Sequence, residues 1–271
     1  MMSDARGVYA AKKKNGDVYY RASFTFRGRH ISLGSYSSEA DANAAYKEAL
    51  SLISSSLSVS DYTCTASLPF VKWVVIINFR DNGLYIKTPI YLKKNMFYYY
   101  LDENDVYTFD AEDLFFYSTH KIMKRGGHLF VADFGMQINI ASRYGIKNYA
   151  TEGKDYYFIN GDDHDYRYSN IAVINRYNGV AVQDRGTAGE HYVAKIHIRG
   201  DYIIGRYDTE TEAAVAYNKA VDTLSEKGIM KNYEKNYIES LSPADYNFIY
   251  QNINISYKIT EICQSKYESG L

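Results

Sequence analysis

The sequence predicts an α+β fold: two small units, each a three-stranded antiparallel sheet backed by one helix, on either side of a longer strand-rich middle. Three observations carry this. A pattern of about fifty residues occurs twice, at an offset of 172 residues through its first half and 171 thereafter. Each copy passes from period-two alternation to period-3.6 spacing, as strands followed by an amphipathic helix require. Capping residues mark the start of both helices.

The first copy opens with Gly7-Val8, continues through Tyr20-Arg21-Ala22-Ser23-Phe24-Thr25-Phe26-Arg27-Gly28 and reaches Leu33-Gly34-Ser35-Tyr36. The second reads Gly179-Val180, then Tyr192-Val193-Ala194-Lys195-Ile196-His197-Ile198-Arg199-Gly200, then Ile204-Gly205-Arg206-Tyr207. Tyr20, Ala22, Phe24 and Phe26 share one strand face, which should meet the helix. Arg21, Ser23, Thr25 and Arg27 share the other, left toward solvent or a ligand. Arg27-Gly28 and Arg199-Gly200 supply tight turns. Ala42, Ala45, Tyr46, Ala49 and Ile53 fall on one helical face, matched by Ala213, Ala216, Tyr217, Ala220 and Leu224. Ser38 with Asp41 and Thr209 with Glu212 cap these helices.

Between the copies, Ser54 to Ser60 is a polar connector, and residues 67–95, with Val74-Val75-Ile76-Ile77, read as strands. Lys124-Arg125-Gly126-Gly127, flanked by His120 and His128, reads as a basic hairpin turn. Ser242-Pro243 begins a helix in the tail, which either docks or binds a partner. The expected segments are 1–60, 61–175, 176–231 and 232–271.

Lys and Arg total 31 against 32 Asp and Glu, so nucleic-acid binding has to come from a local patch. Residues 1–60 hold 8 basic and 5 acidic residues, whereas 176–231 hold 8 of each. Two cysteines, Cys64 and Cys263, build no disulfide framework and read as reduced thiols in a cytoplasmic setting. The start at Met1-Met2-Ser3-Asp4 has no apolar core of a signal peptide, and the apolar run Phe70 to Phe79 is too short to span a bilayer. These features exclude a membrane protein and point to a soluble one. Tyrosine occurs 30 times, which suits strands and wet binding surfaces, although codon bias accounts for it equally well.

The repeated unit resembles the Apetala-two type DNA-binding domain. The matching residues are Arg6-Gly7-Val8, Tyr20 to Phe24, Leu33-Gly34-x-Tyr36 and Ala44-Ala45-Tyr46. The resemblance implies a sheet whose face opposite the helix lies in the major groove, with contacts from Arg6, Tyr9, Ala11, Ser23, Thr25, His30 and Ser32. At Tyr9 and Ala11 the family usually has Arg, and at Ser32 Trp. The matched face of the second copy carries Val193, Lys195 and His197 and is edged by Arg199. Asp201 stands there where the family has Arg. With Arg21, Arg27, Arg29 and Lys12-Lys13-Lys14 at phosphates, the first copy is the expected DNA grip. The three lysines read either as phosphate contacts or as a solvated hairpin tip.

The middle is similar to HNH homing-endonuclease-like proteins that carry such units. Leu101-Asp102-Glu103-Asn104-Asp105-Val106-Tyr107 matches their opening motif, and Phe158-Ile159-Asn160-Gly161-Asp162 with Asp165-Tyr166-Arg167-x-x-Asn170 matches their ββα-type nuclease core. In that family a His stands where Phe158 is, as general base, and an Asn that orients it stands where Tyr166 is. Neither aromatic side chain can accept a proton from water in that role. The upstream metal-binding His is absent from Gln137-Ile138-Asn139-Ile140. Asn160-Gly161, Arg167 and Asn170 remain as scaffold. Asp162-Asp163-His164-Asp165 offers metal-friendly ligands but reads better as a hydrated acidic turn. No dinucleotide or phosphate-loop glycine pattern and no Cys-x-x-Cys pair occurs.

The expectation is therefore a pseudoenzyme, without catalytic residues, metal or cofactor. It descends from a mobile-element or phage nuclease and holds duplex DNA through the first sheet. The alternative is a structural or regulatory protein-binding component, such as a virion part or an inhibitor of a host nucleoprotein; an active nuclease is the third and least favoured reading.

Overall fold

The computed structural model describes residues 6–229 and 231–262, so Cys263 lies outside the described residues. The chain forms two compact units, Met1–Ile140 with Asp162–Asn170 and Ala141–Gly161 with Ile171–Leu271. The stretch 61–175 is thus shared between them. The class is α+β, with four three-stranded antiparallel sheets and one two-stranded pair among the described residues.

In the first unit, β1 (Val8–Lys12), β2 (Val18–Phe26) and β3 (Arg29–Tyr36) form a meander backed by α1 (Glu39–Ser54). The expected faces hold: Val8, Ala22, Phe24, Ile31 and Leu33 are buried against Ala42, Ala45, Ala49 and Leu52. Ser38 Oγ accepts from the Asp41 N–H at 3.1 Å and fixes the start of α1. Arg27 and Gly28 both take positive φ, at 46° and 73°, and close the two-residue turn.

The segment read as strands is instead α2 (Phe70–Asn82). Seven successive residues, Trp73 to Phe79, are buried. A run apolar on every side has no period to distinguish strand from helix. Its length and flanks decide: Pro69 precedes it, and Gly83, at φ 72°, ends it with a bond from its N–H to Phe79 O. Then come β4 (Ile90–Leu92), β5 (Met96–Tyr100) and β6 (Val106–Asp110) as one sheet, the short α3 (Leu114–Thr119), and β7 (Ile122–Arg125), β8 (His128–Asp133) and β9 (Met136–Asn139) as another. Gly126-Gly127 make the expected hairpin turn, and Arg125 pairs with His128.

The second unit contains the pair β10 (Tyr156–Phe158) and β11 (Ile171–Val173), with no helix before the next strand. The second repeat comes next as β12 (Val180–Gln183), β13 (His191–His197), β14 (Asp201–Tyr207) and α4 (Glu210–Glu226). Its hairpin turn has three residues, Ile198 to Gly200, against the two of the first repeat, and is closed by the Ile198 N–H on Gly200 O at 3.1 Å. Thr209 and Glu212 form a full capping box on α4. Both sheets break register at the same repeat position, between Ala22 and Ser23 and between Ala194 and Lys195.

The tail docks within this unit. α5 (Pro243–Asn252) starts at the Ser242 cap, and α6 (Tyr257–Thr260) succeeds it. Buried Asn218 on α4 accepts from the Asn236 N–H at 2.7 Å and donates to Asn236 O at 2.9 Å. Asn236 in turn bonds Asn178 in both directions. Lys219 Nζ reaches Ile253 O at the end of α5, and Tyr246, Ile249 and Ile253 cover the apolar cluster.

One glycine per repeat is obligatory. A Cβ on Gly179 (φ +70°) would stand 2.3 Å from the Tyr217 ring and 2.4 Å from Lys195 O. On Gly7 (φ +77°) it would stand 2.2 Å from the Tyr46 ring and 2.7 Å from Ser23 O. Gly179→Ala therefore lowers stability by about 2–3 kcal/mol through combined backbone strain and overlap. Thermal unfolding monitored by circular dichroism should show a midpoint drop of several degrees, while Gly186→Ala, with nothing near it, should show a smaller one from its positive φ alone.

Candidate nucleic-acid interface

The face of the first sheet turned away from α1 is open. Tyr9, Arg21 and Ser35 form one row across the three strands, and Thr25 and His30 are paired in another. Tyr9 is 61% exposed, and Arg6, Lys12, Lys13, Lys14, Arg21, Thr25, Arg29, His30 and Ser32 are all exposed. Lys12, Lys13, Lys14, Arg21, Arg29 and His30 have no ion-pair partner among the described residues. Asp17, the nearby acid in the β1–β2 turn, instead accepts from Asn15 Nδ2 at 2.7 Å.

One expected contact is corrected, and a second is partly engaged within the protein. Ser23 is buried at 9% exposure, where the chain entering β1 comes against it and its N–H bonds Gly7 O at 2.9 Å. Arg27 is exposed but has one nitrogen committed to the protein: its Nη1 donates to Phe79 O at 3.1 Å, beside the Gly83 N–H on the same carbonyl, and its guanidinium lies 5.0 Å from the Phe26 ring centroid.

The matched face of the second repeat is a different surface. Val193, expected open, is only 1% exposed. Lys195, His197 and Arg199 are exposed, but His197 Nδ1 is 2.8 Å from Asp201 Oδ1. The hydrogen bond from His197, with the charges of Lys195 and Lys154 adding to it, holds the Asp201 carboxyl below the usual carboxylate range. Residues 147–155 and 232–234 rise beside this face and make a cleft of about 910 Å³. Its wall is fixed by an ion pair not foreseen from the sequence. Lys147 Nζ meets Asp155 Oδ1 at 3.1 Å and also donates to Tyr177 O and Val180 O. Burial pushes the Asp155 carboxyl up, but the Thr151 N–H, Lys147 and Asn175 outweigh it and leave it below its ordinary value.

The nuclease-like residues have structural surroundings. Phe158 is buried in β10 opposite Ile171, and Gly161 turns the chain after it, its N–H on Phe158 O. Asn170 Nδ2 braces the acidic loop through Asp165 O at 2.8 Å. Arg167 pairs with buried Asp165, and the Tyr166 ring packs 5.7 Å from Phe109. His164 lies between Asp163 (2.6 Å) and Asp105 (3.2 Å) and stacks on Tyr107 at 4.6 Å, while Lys124 holds the other Asp105 oxygen. Asp162, Asp163 and His164 bring ligand atoms together, in an exposed turn whose groups are engaged with one another. His120 is stacked on Phe116 at 4.2 Å, and Cys64 is exposed and unbridged. No helix among the described residues is long and apolar enough to cross a membrane.

Arg27→Ala should lower stability by only about 0.5–1 kcal/mol, read from the urea midpoint, because Phe79 O keeps the Gly83 N–H when the second donor is removed. Asp155→Asn leaves the half-buried Lys147 ammonium without its counter-charge but with two carbonyl acceptors, and should cost about 1.5–3 kcal/mol. The Asp155 value is depressed in the folded state. Its contribution is therefore present above the unfolded carboxyl value and is lost as pH falls through the folded one. In an acid titration monitored by tyrosine fluorescence, wild type should lose its advantage over Asp155→Asn below about pH 4.

Comparison with known protein families, with curated proteins and with solved structures finds no match, so the chemistry of the chain's own residues has to identify the interface.

Proposed function

We propose that the protein holds duplex DNA on the open face of its first sheet and does not cut it. The observation that carries this reading is the exposed sheet face itself, where Arg21 stands between Tyr9 and Ser35 and Thr25 pairs with His30, beside Lys13 and Lys14 in the β1–β2 turn; Lys12 and Arg29 share strand parity with Val8 and Phe26 and edge the sheet from its other side. Arg6 at the entry to β1 adds a further cation. Three strands at about 4.8 Å spacing make a slab about 10 Å across, which fits a major groove about 12 Å wide. The reading as a pseudoenzyme rests on Phe158 and Tyr166, whose rings serve the core where a base and its orienting amide would stand. A host-cell cytoplasm or a virion is the setting that goes with a phage or mobile-element origin.

A second reading, a structural or regulatory protein-binding component, is favoured by the second repeat. There the matched face is partly walled, His197 is paired with Asp201, and charge in 176–231 balances.

In a gel shift, log affinity for duplex DNA should fall linearly with log salt. Replacing Lys12, Lys13 and Lys14 together by Gln should flatten the slope by roughly 3, at about 0.9 per phosphate contact. Plasmid incubated with Mg²⁺ or Mn²⁺ should stay supercoiled. Absence of a retarded duplex at about 50 mM salt, where such binding is strong, would favour the protein-partner reading instead.

A further inference from the structure

We infer that the cleft beside the second repeat binds a neutral sugar, with the Tyr149 ring as its stacking platform. The site lies wholly within the second unit and does not depend on DNA binding by the first sheet. Its walls are already tied to one another. Asn148 Nδ2 donates to Glu234 Oε2 at 3.1 Å, Tyr233 Oη donates to His197 O at 2.9 Å, and Lys147 is held by Asp155 and two carbonyls. The cleft is therefore preformed, and its 910 Å³ falls within the roughly 300–1,000 Å³ of small-ligand sites.

Tyr149 marks the site. It takes φ +62°, a left-handed conformation unfavourable to a bulky residue, and its side chain is fully exposed on the cleft rim. A side chain that buries nothing gives the fold no return for that strain, so the ring is held ready for something outside the chain. The charges narrow the ligand. Lys147, Lys154 and Lys195 stand against Asp155, Asp201 and Glu234 along the cleft, a balance that does not favour a polyanion. Nor can a peptide add as a strand along β12. There Val180 O already accepts from Lys147 Nζ, and the Val182 N–H donates to Asn175 Oδ1 at 2.9 Å. What the lining offers is donors and acceptors together, in the amides of Asn148, Asn178 and Gln183 and the Thr151 hydroxyl, beside one bare ring. Sugar hydroxyls each donate and accept, and the weakly positive C–H face of a pyranose packs on the negative face of an aromatic ring.

The test is saturation-transfer NMR on the full chain with glucose, galactose, mannose, N-acetylglucosamine, lactose, maltose, cellobiose and chitobiose, and with adenosine monophosphate as an anionic control. At least one sugar should receive saturation, strongest on one pyranose face, with an affinity unchanged between about 50 and 500 mM salt. Tyr149→Gly should weaken that sugar about tenfold, through loss of ring area and stacking. Its thermal midpoint should stay at or above that of wild type, because glycine takes the left-handed conformation without strain. Tyr149→Phe keeps the ring and should bind as wild type does. Three outcomes overturn the assignment: no transfer to any of these sugars at about 20 mM, sugar binding that survives Tyr149→Gly, or salt-sensitive binding of adenosine monophosphate in place of sugar.

Discussion

A tyrosine ring packed against a bare glycine backbone is the contact on which each repeat depends. Tyr46 covers Gly7 and Tyr217 covers Gly179, and in both places the glycine carbonyl accepts from the N–H just past the register break, that of Ser23 or Lys195. A side chain on the glycine would push the helix off the sheet. With that contact made, alanines at 42, 45 and 49, and at 213, 216 and 220, bring the helix close enough to exclude water. One face of each sheet is then fully committed to the interior, and the other is left for more distant parts of the chain to cover or to leave bare.

The surroundings of the two copies differ. After α1 the chain returns as α2 against the helix, and Arg80 ties it down through the carbonyls of Leu52, Ser55 and Leu57. After α4 the tail does the same through the asparagines at 178, 218 and 236. Both extensions settle the helix side. On the sheet side, among the described residues, it is the second repeat that acquires walls, where Lys147 bonds the carbonyls of Tyr177 and Val180 and meets Asp155. Repetition supplied two equivalent faces, and a buried ion pair made them unequal.

The repeat was legible because its signals are local: alternation over nine residues, an alanine face over two turns, and caps three residues from their acids. The strand reading of 67–95 failed because a helix buried on all sides shows no stripe. The role of Arg27 was hidden because its acceptor, Phe79 O, lies 52 residues away. Ser23 kept its polar identity and its parity, but parity says nothing about a neighbouring loop closing over it. The tail's docking turns on paired amides, which are indistinguishable in sequence from solvated asparagines. Among the candidate contacts, Thr25 and His30 are paired and exposed on the side that alternation assigns them, Arg29 stands opposite Phe26 on the other side, and the tether from Tyr19 to Arg21 emerges only from side-chain geometry.

The two units exchange segments: residues 141–161 belong with the second and 162–170 with the first. During synthesis the first unit therefore waits for its last nine residues until a piece of the second has already left the ribosome. The second waits for its own C-terminal helices. Neither half can be released whole by breaking the chain once, so loss of either by a single recombination event is topologically discouraged. The arrangement ties the fate of the first sheet to that of residues 162–170, far behind it in the chain.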